Sequence, residues 1–152
     1  RYYHDVVGCN SRLDAIQAAI LDIKLNHLDD YIAARRKAAD FYDAAFADNK
    51  HITIPFRAGN NKHVFHQYTL ILNEVDRGAL SQYLTEQGVP NMIYYPVAAH
   101  KQKMFDAFGG SDYHLPVTDW LTERVISLPI HTELDEEQQS FIVSKVLAFI
   151  NK

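Results

Sequence analysis

Residues 13–25, LDAIQAAILDIKL, are apolar on too many sides for an ordinary surface helix. At about 100° per residue, Leu13, Ile16, Ile20 and Ile23 form one stripe, and Ala18, Leu21, Leu25 and Leu28 form a second. Together the stripes take up well over half of the circumference, whereas a helix lying on a single core uses one face. Such a helix needs cover on two sides. Its own fold is expected to leave part of it bare, with another body packed on the remainder. Ser11 followed by Asp14 resembles a capping box ahead of this run. Asp29 or Asp30 can cap a second helix, in which Ala34, Ala38, Phe41 and Ala45 line one face.

The pattern changes near residue 50. HITIP (51–55) reads as a short strand and KHVFHQYTLIL (62–72) as a longer one rich in β-formers. Asp76 caps a helix through Gln87 with Leu80, Tyr83 and Leu84 on one face, and Gly88 is its left-handed stop. NMIYYP (91–96) reads as a strand ended by Pro96, and residues 101–108 as a short helix closed by Gly109 and Gly110. Pro116 can start another short helix, and RVISLPI (124–130) reads as a strand. Asp135 with Gln138 caps a last helix that buries Phe141, Ile142, Val146, Phe149 and Ile150. This order predicts an α/β chain of the α+β kind: long N-terminal helices, then a small antiparallel or mixed sheet with helices on one side. Residues 1–50 are expected to form a helical segment and residues 51–152 a small α/β domain.

The 152 residues suffice for one hydrophobic core, and 47% hydrophobic with 22% charged residues is globular composition. The net charge of −4 and the scatter of the 15 lysines and arginines argue against nucleic acid or an anionic membrane as partner. Cys9 is the only cysteine, so no intrachain disulfide can form and a reducing compartment, the cytoplasm, is expected. No apolar run approaches bilayer length. The chain opens RYYHDVVG without an initiator methionine, and is expected to be a piece of a longer protein.

Few residues carry chemistry on their own terms. His63 and His66 have a metal-like spacing, but an offset of three along a strand puts them on opposite faces. His100, His114 and His131 lack Cys or HExxH partners, and no metal site is expected. Ser127 and Ser140 have no nucleophile-elbow context, and neither a Walker A nor a GxGxxG segment is present. Cys9, beside a helix start, reads as a small filler or a reactive thiol. Asn10, Ser11 and the first helical N–H groups, with Arg12, make either a phosphate site or a cap with a surface salt bridge. Tyr94 and Tyr95 read as aromatic packing unless a second component joins them.

Three ordered blocks nevertheless resemble one family. GCNSRLDAIQAAILDIKLNHLD (8–29), followed by Arg35-Arg36, is similar to the segment after the cofactor lysine in DegT/DnrJ/StrS-type pyridoxal-phosphate (PLP) sugar aminotransferases. IYYPVAAHKQKMF (93–105) resembles that family's I-H-Y-P-x-P-x-H-x-Q, and LPVTD (115–119) with VISLPIHTEL (125–134) its closing blocks. The resemblance implies the C-terminal part of a fold-type-I aminotransferase, a homodimer with shared active sites. It moves an amino group, with glutamate the expected donor, onto a keto-sugar nucleotide. It further implies that Asn10 reaches the PLP phosphate of the neighbouring subunit, that Arg12 lies near the same shared site, and that Tyr94 and Tyr95 approach the sugar nucleotide. Tyr94 stands where the family usually has His, and Cys9 and Ala98 also depart from the pattern.

None of the eight lysines lies in the S-F-x-x-x-K context of the Schiff-base residue. The catalytic lysine is therefore expected upstream, no catalytic residue is expected in this chain, and the chain alone is expected to be inactive. A PLP sugar dehydratase of the same family and a non-catalytic dimerisation or ligand-binding module are the alternatives.

Overall fold

A computed structural model describes residues 11–109 and 112–151. Helix α1 (Ala15–Leu25) and helix α2 (Leu28–Phe46) come first, then strand β1 (Ile52–Thr53), strand β2 (Tyr68–Leu72) and helix α3 (Arg77–Glu86). Two 3-10 turns (Ala99–Lys101 and Lys103–Phe108) lead to helix α4 (Pro116–Thr122), strand β3 (Val125–Leu128) and helix α5 (Glu136–Ile150).

The three strands form an antiparallel sheet in the order β1-β2-β3, with Tyr68 opposite Leu128 and Leu70 opposite Ile126. Side chains alternate across a strand, so Tyr68, Leu70, Leu72, Ile126 and Leu128 share one face. All are buried there with Tyr42 and Phe46 of α2, Leu80 and Leu84 of α3, and Ile142 and Val146 of α5. The helices α2, α3 and α5 thus lie on one side of the sheet, as the sequence predicts. Thr69, Ile71, Val125 and Ser127 occupy the other face, where the Thr69 and Ser127 hydroxyls bond at 2.8 Å.

Local signals set most helix ends. Asp76 accepts from the Ala79 N–H, Gly88 closes α3 at φ 76°, and Asp135 with Gln138 forms a complete capping box. Elsewhere the structure corrects the reading. Asp14, not Ser11, caps α1, accepting from Ile16 and Gln17 N–H. His27 precedes α2 without a side-chain cap, and Asp29 and Asp30 lie in its first turn, where a negative charge still suits the helix dipole. In α2 the buried residues are Ala38, Ala39, Tyr42 and Phe46; of the expected face Ala38 is buried, and Phe41 and Ala45 pack partly buried against the core. In α5, Phe141 is 45% exposed.

The expected strand 62–72 is reduced to 68–72 because Phe65 takes a positive φ of 48°, which no strand can hold. NMIYYP is reduced to a single bridge, Met92 with Ser127 at the free edge of β3.

Two polar devices tie α2 to the sheet. Arg57 pairs with Asp40 at 2.6 Å and with Asp43 at 2.7 Å, and Asp43 also accepts from the Tyr68 hydroxyl at 2.7 Å. The Tyr42 hydroxyl donates to the Pro129 carbonyl at 3.0 Å. Burial raises the pKa of both phenols well above the ordinary range, and for Tyr68 the Asp43 carboxylate adds to it.

Helix α1 stands apart. None of its residues is buried, and Ile16, Ile20, Leu21, Ile23 and Leu25 are all exposed. An apolar hollow of about 510 Å³ opens between α1 and α2 over Leu21, Leu25, Leu28 and Tyr31.

Candidate functional site

Of the residues singled out by the sequence, Cys9 and Asn10 lie outside the described residues. Arg12 is exposed just ahead of α1 and engages no carboxylate among the described residues. Two of the helical N–H groups beside it are already taken. Asp14 takes those of Ile16 and Gln17 at 2.9 and 3.2 Å.

Tyr94 and Tyr95 project from the segment that follows the Met92 bridge. The bridge is firm, with the Met92 N–H on the Ser127 carbonyl at 3.1 Å and the Ser127 N–H on the Met92 carbonyl at 2.8 Å. Just before it, Asn91 is tied to α3: its Oδ1 accepts from the Ser81 hydroxyl at 2.6 Å, and its Nδ2 donates to the Ser81 carbonyl at 3.2 Å. The two tyrosines are joined by a cis peptide bond, and their rings meet edge to face with centroids 5.7 Å apart. Tyr94 is 39% and Tyr95 69% exposed, so both phenols are available to a ligand. Tyr94 also lines a cleft of about 240 Å³ with His66, Gln67, Pro90, Met92 and Pro129.

The connection after Tyr95 is held by charge. Lys101 lies 2.7 Å from Asp119 at the start of α4, and His100 Nε2 lies 3.7 Å from the same oxygen. The Lys101 hydrogen bond keeps the Asp119 carboxyl below the usual carboxylate range. This cluster joins the second and third sequence blocks, which chain position alone does not reveal.

Arg35 and Arg36, marked in the sequence only as a motif element, act on backbone. Arg35 Nη1 donates to the carbonyls of Phe65 (3.1 Å), His66 (3.3 Å) and Ile130 (3.0 Å), and Arg36 Nη1 to that of His63 (3.3 Å). His63 Nδ1 accepts from the Phe65 N–H at 2.9 Å. Among the described residues no group of three or more His, Cys, Asp or Glu side chains comes together to hold a metal. Nor is any helix among them long and apolar enough to cross a membrane.

Residues 1–147 match the family model described as the DegT/DnrJ/EryC1/StrS aminotransferase family. A pleiotropic regulatory protein of Geobacillus stearothermophilus is 40% identical over 98% of this chain and 40% of its own length. A UDP-N-acetyl-3-dehydro-α-D-glucosamine 3-aminotransferase of Acidithiobacillus ferrooxidans is 42% identical over 95% of this chain and 38% of its own. The X-ray structure of S. venezuelae DesV in complex with a ketimine intermediate superposes with a TM-score of 0.89 at 30% identity, over 100% of this chain and 40% of DesV. The chain therefore spans about two fifths of the length of the curated relatives it matches.

Proposed function

The chain belongs to the DegT/DnrJ/EryC1/StrS aminotransferase family, and from that membership we propose that it is the C-terminal portion of a PLP-dependent sugar aminotransferase. The whole enzyme transfers an amino group, with glutamate as donor, to a nucleotide-linked keto-sugar for amino-sugar and cell-surface polysaccharide synthesis in the cytoplasm. The observation that carries this reading is the 42% identity, over 95% of the chain, to a UDP-sugar 3-aminotransferase.

In this proposal two copies share their active sites. Asn10 holds the cofactor phosphate of the neighbouring subunit through its amide N–H groups, and Arg12 adds positive charge beside it, donors suited to a phosphate dianion. Arg12 is exposed and meets no carboxylate among the described residues, which fits that task. Tyr94 and Tyr95 face the nucleotide sugar. Residues 1–50 link to the large domain and carry subunit contacts, which cover the apolar stripes of α1, while residues 51–152 form the small domain. PLP, when bound, supplies the electron sink for loss of the proton on the amino-bearing carbon. This chain's residues bind and orient, and the lysine that moves the proton lies upstream, so the chain alone does not turn over.

The test uses the full protein that carries this chain. Borohydride treatment with PLP is expected to fix the cofactor to a lysine outside residues 1–152, and glutamate is expected to aminate a UDP-linked 3-keto sugar. Asn10→Ala and Arg12→Ala should each raise the PLP concentration for half-saturation by about tenfold, the loss of one charge-assisted contact. Loss of a sugar hydroxyl in place of amination would move the protein to the dehydratase reading. Failure to take up PLP would overturn the enzyme reading altogether.

A further inference from the structure

The turn from Phe65 to Gln67 is held more tightly than a surface connection requires. Phe65 has φ 48°, a region that bulky residues rarely enter and that strains the backbone. Contacts from several sides impose it. Arg35 Nη1 donates to the carbonyls of Phe65 and His66, the Phe65 N–H donates to His63 Nδ1, and the Arg57 guanidinium lies 4.6 Å above the Phe65 ring. Strain that survives only because its surroundings over-determine it clusters where proteins handle ligands.

The clamp delivers the side chains that follow it. His66 is exposed, its imidazole makes no hydrogen bond among the described residues, and with Gln67 it lines the same cleft as Tyr94. The register explains the meeting. Thr69, Ser127 and Met92 stand in one row across the sheet, and two residues along that register Gln67 comes beside Pro129 and Pro90. His66, Gln67 and Tyr94 line one cleft together with Pro90, Met92 and Pro129.

No carboxylate lines this cleft. Neither lysine nor arginine lines it, and the nearby Nη1 of Arg35 is committed to the carbonyls of Phe65, His66 and Ile130. Its volume of about 240 Å³ is below the ~300–1,000 Å³ of sites that enclose a whole drug-sized ligand. It suits one ring with hydroxyl or amide groups, and suits a phosphate poorly.

We propose that His66 and Gln67 are binding residues that, with Tyr94, receive the hydroxyl- or amide-bearing ring of the sugar, while the phosphates are held elsewhere. The proposal rests on the reading of the full protein as a nucleotide-sugar enzyme. It also accounts for the tyrosine at 94 in a motif that usually carries histidine: the imidazole comes from the facing turn.

The experiment is calorimetric titration of the full protein with UDP-N-acetylglucosamine and, separately, with UDP. In the wild type the sugar conjugate should bind more tightly than UDP. His66→Ala should weaken the conjugate by about five- to tenfold, the loss of one neutral hydrogen bond or slightly more, with UDP affinity and thermal melting unchanged. His66→Gln, which keeps a donor and an acceptor, should recover most of the loss, and Gln67→Ala should act in the same direction as His66→Ala. No sugar-dependent gain in the wild type, or a His66→Ala that weakens both ligands equally or neither, overturns the proposal. Cofactor uptake is measured on the same samples. A protein that fixes PLP on its lysine but shows no His66 effect loses this inference alone, whereas one that takes up no PLP loses the enzyme reading.

Discussion

Helices α1 and α5 are both rich in apolar residues, and the structure treats them in opposite ways. Helix α5 buries Ile142 and Val146 against the sheet and α3, whereas α1 buries nothing. The difference lies in the second stripe. α5 keeps Glu136, Glu137, Ser140 and Ser144 for solvent, but α1 carries isoleucine and leucine on both sides. Amphipathic pattern thus says how many bodies a helix must touch, as well as that it is a helix. The body from α2 to α5 is complete without α1, and α1 is not complete without a further body.

The largest effect that sharpens this contrast is in the shared core. Phe46 is fully buried, 6.1 Å from Tyr42 in a stacked pair, and Phe46→Ala should cost about 3–5 kcal/mol in urea denaturation. A loss under about 1 kcal/mol would mean that the body is less finished than its packing implies.

Next comes Arg35. Removing a guanidinium that satisfies three carbonyls should cost roughly 2–3 kcal/mol. Hydrogen exchange should then quicken at the amides of residues 65–67 while those of α5 stay protected. Arg35→Lys should not restore protection, since the lysine ammonium sits one bond closer to the backbone than the Nη1 that makes all three contacts.

Alkaline titration probes the same body. The pKa of Tyr42 and of Tyr68 is raised on folding, so their contribution is complete below about pH 10, where the unfolded phenols are still protonated. Above that, the unfolded chain ionises first, and each phenol should remove about 1.4 kcal/mol per pH unit. Tyr42→Phe and Tyr68→Phe should each flatten the decline measured by urea midpoints between pH 9 and 12.

The smallest effect on folding is expected in α1. Ile20 is 49% exposed, and Ile20→Glu in this chain should change stability by less than about 0.5 kcal/mol. It should nevertheless reduce self-association of the chain in analytical ultracentrifugation. A wild-type chain that sediments as a strict monomer would break the comparison, because the bare stripes would then need no cover.

Legibility in the sequence follows the range of the contacts. The caps at Asp76 and Asp135 and the stop at Gly88 were readable because each partner lies within a few residues. The start of β2 was not, because Phe65 is turned by Arg35, 30 residues away, and the same guanidinium reaches Ile130, 95 residues away. Met92 reads as the middle of a strand yet finds one partner, since the segment leaves the sheet edge at the tyrosines. At the candidate site, Asn10, Arg12, Tyr94 and Tyr95 were marked from motifs alone. His66 was noticed only as half of a metal-like pair, and the cleft that gives it a role exists only once β3 and the Met92 segment are side by side.

The uncovered stripes of α1 also set a schedule for synthesis. The core that begins at Ala39 is closed only by Val146, about a hundred residues later, which takes on the order of 5–20 s at typical ribosomal rates of ~5–20 residues per second. Helix α1 has 11 residues, fewer than the ~12–15 at which an isolated helix becomes even marginally stable in water. Closure of the body does not shelter α1, whose apolar residues stay exposed in the folded chain, so residues 13–28 remain a natural grip for a holding chaperone until the further body covers them.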